Sequence, residues 1–131
     1  MKFLSMFIGH LFVSLVGLTC LANNPSILPE SVKEAFTQGN ASEILVHCCD
    51  KVDISLPENN VECGKNKSLA LLKTFFEKNP PRLFDIVFEG GQNNSKYAVG
   101  KLTTNNGEFR INIFMKDNII IQLSIENYDE N

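Results

Sequence analysis

The sequence predicts an α+β domain in which a curved antiparallel sheet wraps one long helix. Three observations carry the prediction. From Arg82 to Glu126 the chain reads as four strands, and in three of them apolar residues recur at every second position: Phe84, Ile86 and Phe88; Phe109, Ile111, Ile113 and Met115; Ile119, Ile121, Leu123 and Ile125. Side chains on a strand alternate faces, so each set points one way. Ser68 to Lys78 has a helical stripe, Leu69, Leu72 and Phe76, widened by Leu71 and Phe75, and a helix this apolar must cover something large. Short polar turns, Asn105-Asn106-Gly107 and Asp117-Asn118, join the strands into hairpins. The other sheet face carries Asp85, Glu89, Glu108, Arg110, Asn112, Gln122, Ser124 and Glu126, as expected of a sheet covered on one side.

The chain has 131 residues, enough for one domain. It is 44% hydrophobic, which supports a real core, and its formal net charge of -3 gives no reason to expect nucleic-acid binding. Residues 1–22 read as a signal peptide. Lys2 supplies the positive start, Phe3 to Leu21 is almost wholly apolar, and Cys20-Leu21-Ala22 offers small residues at the cleavage positions. A retained membrane anchor and lipid attachment at Cys20 are the alternatives. Against the second, Gly17-Leu18-Thr19 has neither Leu three residues before the cysteine nor Gly or Ala just before it. Cleavage implies an exported protein (periplasm, envelope or medium) with no membrane insertion afterwards.

Residues 23–28 read as a linker and 29–127 as the domain. Pro29-Glu30-Ser31 opens a helix with Val32, Ala35 and Phe36 on one stripe. Gly39 ends it in the left-handed conformation, and Asn40 caps a second short helix with Glu43 three residues on. Val52, Ile54 and Leu56 alternate with polar residues in a first strand stopped by Pro57, and Val61 to Cys63 returns as a short second one. Asn66 is a plausible cap for the long helix, which Asn79-Pro80-Pro81 stops. Gly90 to Ser95 reads as a loose hairpin loop, with no phosphate-loop context.

No catalytic residues stand out. Asp50 and Asp53 are three apart on a strand, which puts them on opposite faces and spoils a shared acid–base role. His47, Cys48, Cys49 and Cys63 are metal ligands and nucleophiles by type. Adjacent cysteines on a strand diverge and C-x-x-C spacing is absent, so the expectation is no metal and no cofactor. Three cysteines remain after cleavage, an odd number. A disulfide from Cys63 to Cys48 or Cys49 competes with three buried thiols. Tyr97 and Arg110 stand on neighbouring strands; Tyr97 could line a pocket, whereas Arg110 should face outward to Glu108, Asp85 or Glu89. Val87, Phe114 and Ile120 interrupt the polar face, and an apolar patch there suggests a partner, most simply a second copy about a two-fold axis.

The element order, with Gly39-Asn40-Ala41 at the corner, His47-Cys48-Cys49-Asp50-Lys51-Val52-Asp53-Ile54-Ser55-Leu56 as first strand and Phe75-Phe76-Glu77-Lys78-Asn79-Pro80-Pro81 closing the long helix, resembles the nuclear-transport-factor-2-like (NTF2-like) superfamily. The resemblance implies a cone: a curved mixed or antiparallel sheet around a long helix with two short N-terminal helices. More narrowly, Phe84 to Gly91, Tyr97-Ala98-Val99-Gly100 and Phe109-Arg110-Ile111 look like a family of small exported Bacteroidetes proteins of unknown function. Isomerase-like members of the superfamily place an aspartate base toward the end of the first strand, and Ser55 occupies that place here. The resemblance also implies pairing through the sheet. The expectation is a non-enzymatic exported domain that binds a small apolar ligand or a protein partner. The alternative is a small isomerase, dehydratase or hydrolase working in the cone. Phe36, Leu72, Phe76, Phe84 and Phe109 would line or fill the interior, and Tyr97 would join them if a cavity is present.

Overall fold

The computed structural model describes residues 26–58, 60–62 and 64–129, the middle stretch by its backbone alone. The leader and Cys63 therefore lie outside the described residues. The order is α1 (Glu30–Gln38), α2 (Ala41–Val46), β1 (Cys48–Ser55), β2 (Asn60–Glu62), α3 (Lys65–Lys78), β3 (Pro81–Gln92), β4 (Ser95–Thr104), β5 (Gly107–Lys116) and β6 (Ile119–Asn127). The strands form one open sheet in the order β2-β1-β6-β5-β4-β3. All neighbours are antiparallel except β1 and β6, which run parallel, so the sheet is mixed. This is the α+β cone that the sequence predicts. No helix among the described residues is long and apolar enough to cross a membrane.

The helix corner forms as its residues dictate. Gly39 sits at φ 66°, its N–H donates to the Phe36 carbonyl, and Asn40 N–H donates to the Ala35 carbonyl at 2.8 Å. That pair of bonds is a Schellman stop. The Asn40 side chain accepts from Glu43 N–H at 3.2 Å and starts α2. The long helix starts earlier than the sequence suggests. Gly64 takes the N-cap place and Lys65, Asn66 and Lys67 form a polar first turn, so Asn66 is inside the helix and caps nothing.

The concave sheet face and the helices share one core. Phe36 stacks on Phe84 with ring centres 4.8 Å apart, and Phe75 meets Phe109 edge-on at 4.9 Å. Leu28, assigned to the linker by sequence, is 1% exposed and belongs to this core, with Ile27 packed against it. Ser26 Oγ donates to Glu89 at 2.6 Å, which straps the segment to β3. Glu89 thus faces the strap, and Glu108 pairs with Lys101 at 2.9 Å, so neither forms the ion pair with Arg110 that alternation suggests.

Two bulges overturn part of the face assignment. In β3, Ile86 lies opposite Gly100 but Phe88 lies opposite Val99, so Val87 is an extra residue and Phe88 turns to the outer face. In β6, Met115 pairs with Ile120 and Phe114 with Gln122, so Ile121 is extra. Ile120 is consequently buried while Ile119 and Ile121 are exposed, the reverse of simple alternation. The β3–β4 connection is also tighter than a loose loop. Gly90 and Gly91 remain in the ladder, and Asn93-Asn94 alone makes the turn. Gly91 is at φ 133°, and a Cβ there would stand 2.5 Å from the Ser95 carbonyl oxygen.

Candidate functional site

The interior of the cone is occupied. Phe36 and Leu72 are fully buried, and Phe76, Phe84 and Phe109 nearly so. Phe76 meets Phe36 edge-on at 6.4 Å. The five residues expected to line or fill the interior all belong to one buried core cluster. Two hollows lie at the ends of the cone. One hollow of about 420 Å³ sits where the last turn of α3 meets the ends of β1 and β6 and the β4–β5 turn. The other, about 430 Å³ and shallow, lies at the α2–β1 corner beside His47, Cys49 and Asn118.

That corner brings together a serine, a histidine and a glutamate. Ser31 Oγ is 3.1 Å from His47 Nε2, and Glu43 Oε1 is 3.7 Å from the same nitrogen. A hydrolytic triad needs the acid on Nδ1, so that it fixes the tautomer while Nε2 takes the serine proton. Here both partners compete for one nitrogen. The arrangement ties α1 to the end of α2 instead. Asp50, exposed, reaches Lys65 at 3.7 Å. Among the described residues, no group of three or more His, Cys, Asp and Glu side chains could hold a metal ion. Cys48 and Cys49 carry free thiols. Cys48 is buried with Sγ–H directed at the Ile44 carbonyl at 3.4 Å. Burial first, and the neighbouring Cys49 second, push its thiol up to about 12, against a smaller opposing pull from Lys65.

The convex face presents the third feature. Tyr97 stacks between Phe88, 5.4 Å away, and Phe114, 5.9 Å away, in an aromatic strip across β3, β4 and β5. Tyr97 lines neither hollow and stands outside the cone. Phe88 is 51% and Phe114 42% exposed, with Leu83 and Val87 also open on β3. Gly90 leaves room for the strip: a Cβ there would lie 3.1 Å from Phe88 and 3.2 Å from Tyr97.

Residues 29–126 match the family model described as a domain of unknown function, DUF4783. The chain belongs to the DUF4783 family. A DUF4783 protein from Bacteroides ovatus shares 31% identity over 81% of this chain and 100% of its own, with a TM-score of 0.73. Another, from Bacteroides uniformis, shares 31% over 78% of this chain and 98% of its own, with a TM-score of 0.71. A domain of unknown function with a cystatin-like fold from Nostoc punctiforme is 11% identical over 76% of this chain and 72% of its own; at a TM-score of 0.62 it shares the fold alone. No curated protein matches the chain. The chain thus has a cystatin-like fold.

In this DUF4783 chain, sequence reasoning misses Phe88 as an outer-face aromatic and Ser31 as the partner of His47. The first had a signal. Ile86-Val87-Phe88 is a run of three apolar residues in which alternation cannot say which point inward. The second had none, because Ser31 and His47 meet only once α1 and α2 fold back at Gly39.

Proposed function

We propose that this chain is an exported, non-enzymatic binding domain that pairs with a second copy through the convex sheet face. The observation that carries the reading is the aromatic strip Phe88–Tyr97–Phe114, ordered by stacking yet open to solvent. Exposed aromatics in contact are unfavourable in water and common at the centres of interfaces. Both signs of charge flank the strip, which favours a self-complementary contact. Asp85 lies opposite Lys101, and Arg110 lies between Lys101 and Glu126. Four strands about 4.8 Å apart and about ten residues long offer roughly 600 Å² per protomer, so a pair reaches the lower bound for specific association, about 1,200 Å². The superfamily resemblance implies the same face. Export is the reading of the leader.

The test is native mass spectrometry of the full chain, expressed with its own leader and recovered from the cell envelope. The expected species lacks residues 1–22 and has twice the mature mass, and Phe114→Asp halves it. An intact leader would overturn export. A wild-type monomer at micromolar concentration would overturn pairing.

A further inference from the structure

The tip of the β4–β5 turn holds the chain's single Asn-Gly pair, Asn106-Gly107. An asparagine amide followed by glycine is open to attack from the next backbone nitrogen, because glycine brings no side chain to crowd the approach. Gly107 is exposed, and a Cβ there would meet nothing within 4 Å. Space for ring closure is therefore free on the glycine side. The asparagine side is held. Asn106 Nδ2 donates to the Lys78 carbonyl at the end of α3, and Asn106 N–H donates to Thr104 Oγ1 at 3.0 Å. Thr104 Oγ1 donates in turn to the Gly107 carbonyl at 2.8 Å. Asn105 N–H, donating to the Pro80 carbonyl at 3.1 Å, ties the same turn to the chain just past the helix. Asn79 and Asn106 thus stand together on the rim of the end hollow, where the turn is latched to α3.

We propose that Asn106 is a modification site: when the latch opens, the Gly107 backbone nitrogen attacks Asn106 Cγ, and the side chain is converted to a carboxylate that cannot latch again. In the first step the N–Cγ bond forms, the Cγ–Nδ2 bond breaks, and ammonia leaves with the proton of Gly107 N–H, giving a succinimide ring. Water then adds to either ring carbonyl and opens the ring to aspartate or isoaspartate. The closed latch opposes the reaction, because it holds Nδ2 on Lys78 and Cγ with it. After conversion the ionised side chain is an acceptor only and cannot donate to Lys78. It also places a negative charge at the negative end of the α3 dipole. Isoaspartate further adds a carbon to the backbone of the turn. The modification is a slow, one-way release of the β4–β5 turn from the end of α3. Nothing in it requires the convex face, so it is independent of pairing.

The test is timed incubation of the purified protein in warm neutral buffer, folded and in guanidinium chloride, with conversion located by peptide mass mapping and an isoaspartate assay. Residue 106 should convert in both, and more slowly in the folded protein. Only open molecules react, so the ratio of the two rates should match, within about threefold, the hydrogen-exchange protection of Asn105 N–H, which opens with the same latch. Thr104→Val removes the hydroxyl that holds the turn and should speed conversion of the folded protein about fivefold, the equilibrium worth of one hydrogen bond. Asn106→Gln keeps an amide donor but closes the ring poorly, and it should not convert. Asn106→Asp, the product, should melt lower and open Asn105 N–H to exchange. A folded chain that does not convert at residue 106, or converts there as fast as the unfolded chain, would overturn the proposal. So would a folded Thr104→Val that converts no faster, or an Asn106→Asp that exchanges as the wild type does.

Discussion

A Cβ at Gly100 would stand 2.4 Å from both Cε1 and Cζ of Phe84, whose ring is stacked on Phe36. Gly100→Ala should therefore cost about 1–3 kcal/mol, the usual cost of overpacking, read as a lower midpoint in urea denaturation. An unchanged midpoint would mean that the Phe84 ring has slack. Cys48 gives a prediction in pH. Its folded value of about 12 lies above the unfolded 9.0, so the folded state holds a proton that the unfolded chain has released. The contribution is complete below pH 9 and is lost as pH rises toward 12, at up to about 1.4 kcal/mol per pH unit. Urea midpoints of the wild type should fall more steeply over that window than those of Cys48→Ala; parallel curves would reject the assignment. A neutral thiol is also a poor nucleophile. Alkylation of the folded protein should mark the partly exposed Cys49 first and leave Cys48 unmodified.

Turn and cap chemistry was legible in the sequence at the level of elements because it is local. Gly39, Asn40 and the Asp117-Asn118 turn, both residues at positive φ, do what those residue types do anywhere. Asn40→Ala should accordingly lower stability by about 1 kcal/mol through loss of the bond to Glu43 N–H. A thermal midpoint within error of wild type would show that α2 is held by packing alone. The bulges were not legible, for a definite reason. Alternation identifies a face only while one residue in two is apolar. Ile86-Val87-Phe88 and Ile119-Ile120-Ile121 each give three in succession, and the two bulges that change the face assignment fall there. The outer aromatic strip depends on the first of them, so half of the candidate surface was hidden behind one extra residue. The rim of the end hollow was hidden differently: Asn79 and Asn106 read as helix stop and turn, and only the fold brings them together.

At the scale of the whole molecule, the cone has one covered face and one bare one. Helices α1 to α3 and the strap from Ser26 bury the concave side, down to Leu28. The convex side keeps Leu83, Val87, Phe88 and Phe114 in solvent. If a second copy covers that side, folding and association are linked, and anything that binds only the native state adds stability that grows as the logarithm of its concentration. The melting temperature of the wild type should then rise with protein concentration, by RT ln of the concentration ratio in free energy, or about 1.4 kcal/mol per tenfold. Phe114→Asp removes one ring of the strip and places a charge where two apolar faces would meet. Its melting temperature should not vary with concentration, and it should equal that of the wild type at high dilution, because Phe114 is exposed and contributes little to the monomer core. A wild-type melting temperature that is flat over a hundredfold range would leave the strip without a second copy to cover it. A Phe114→Asp variant that is less stable even at high dilution would instead place the strip among the contacts that hold the monomer together.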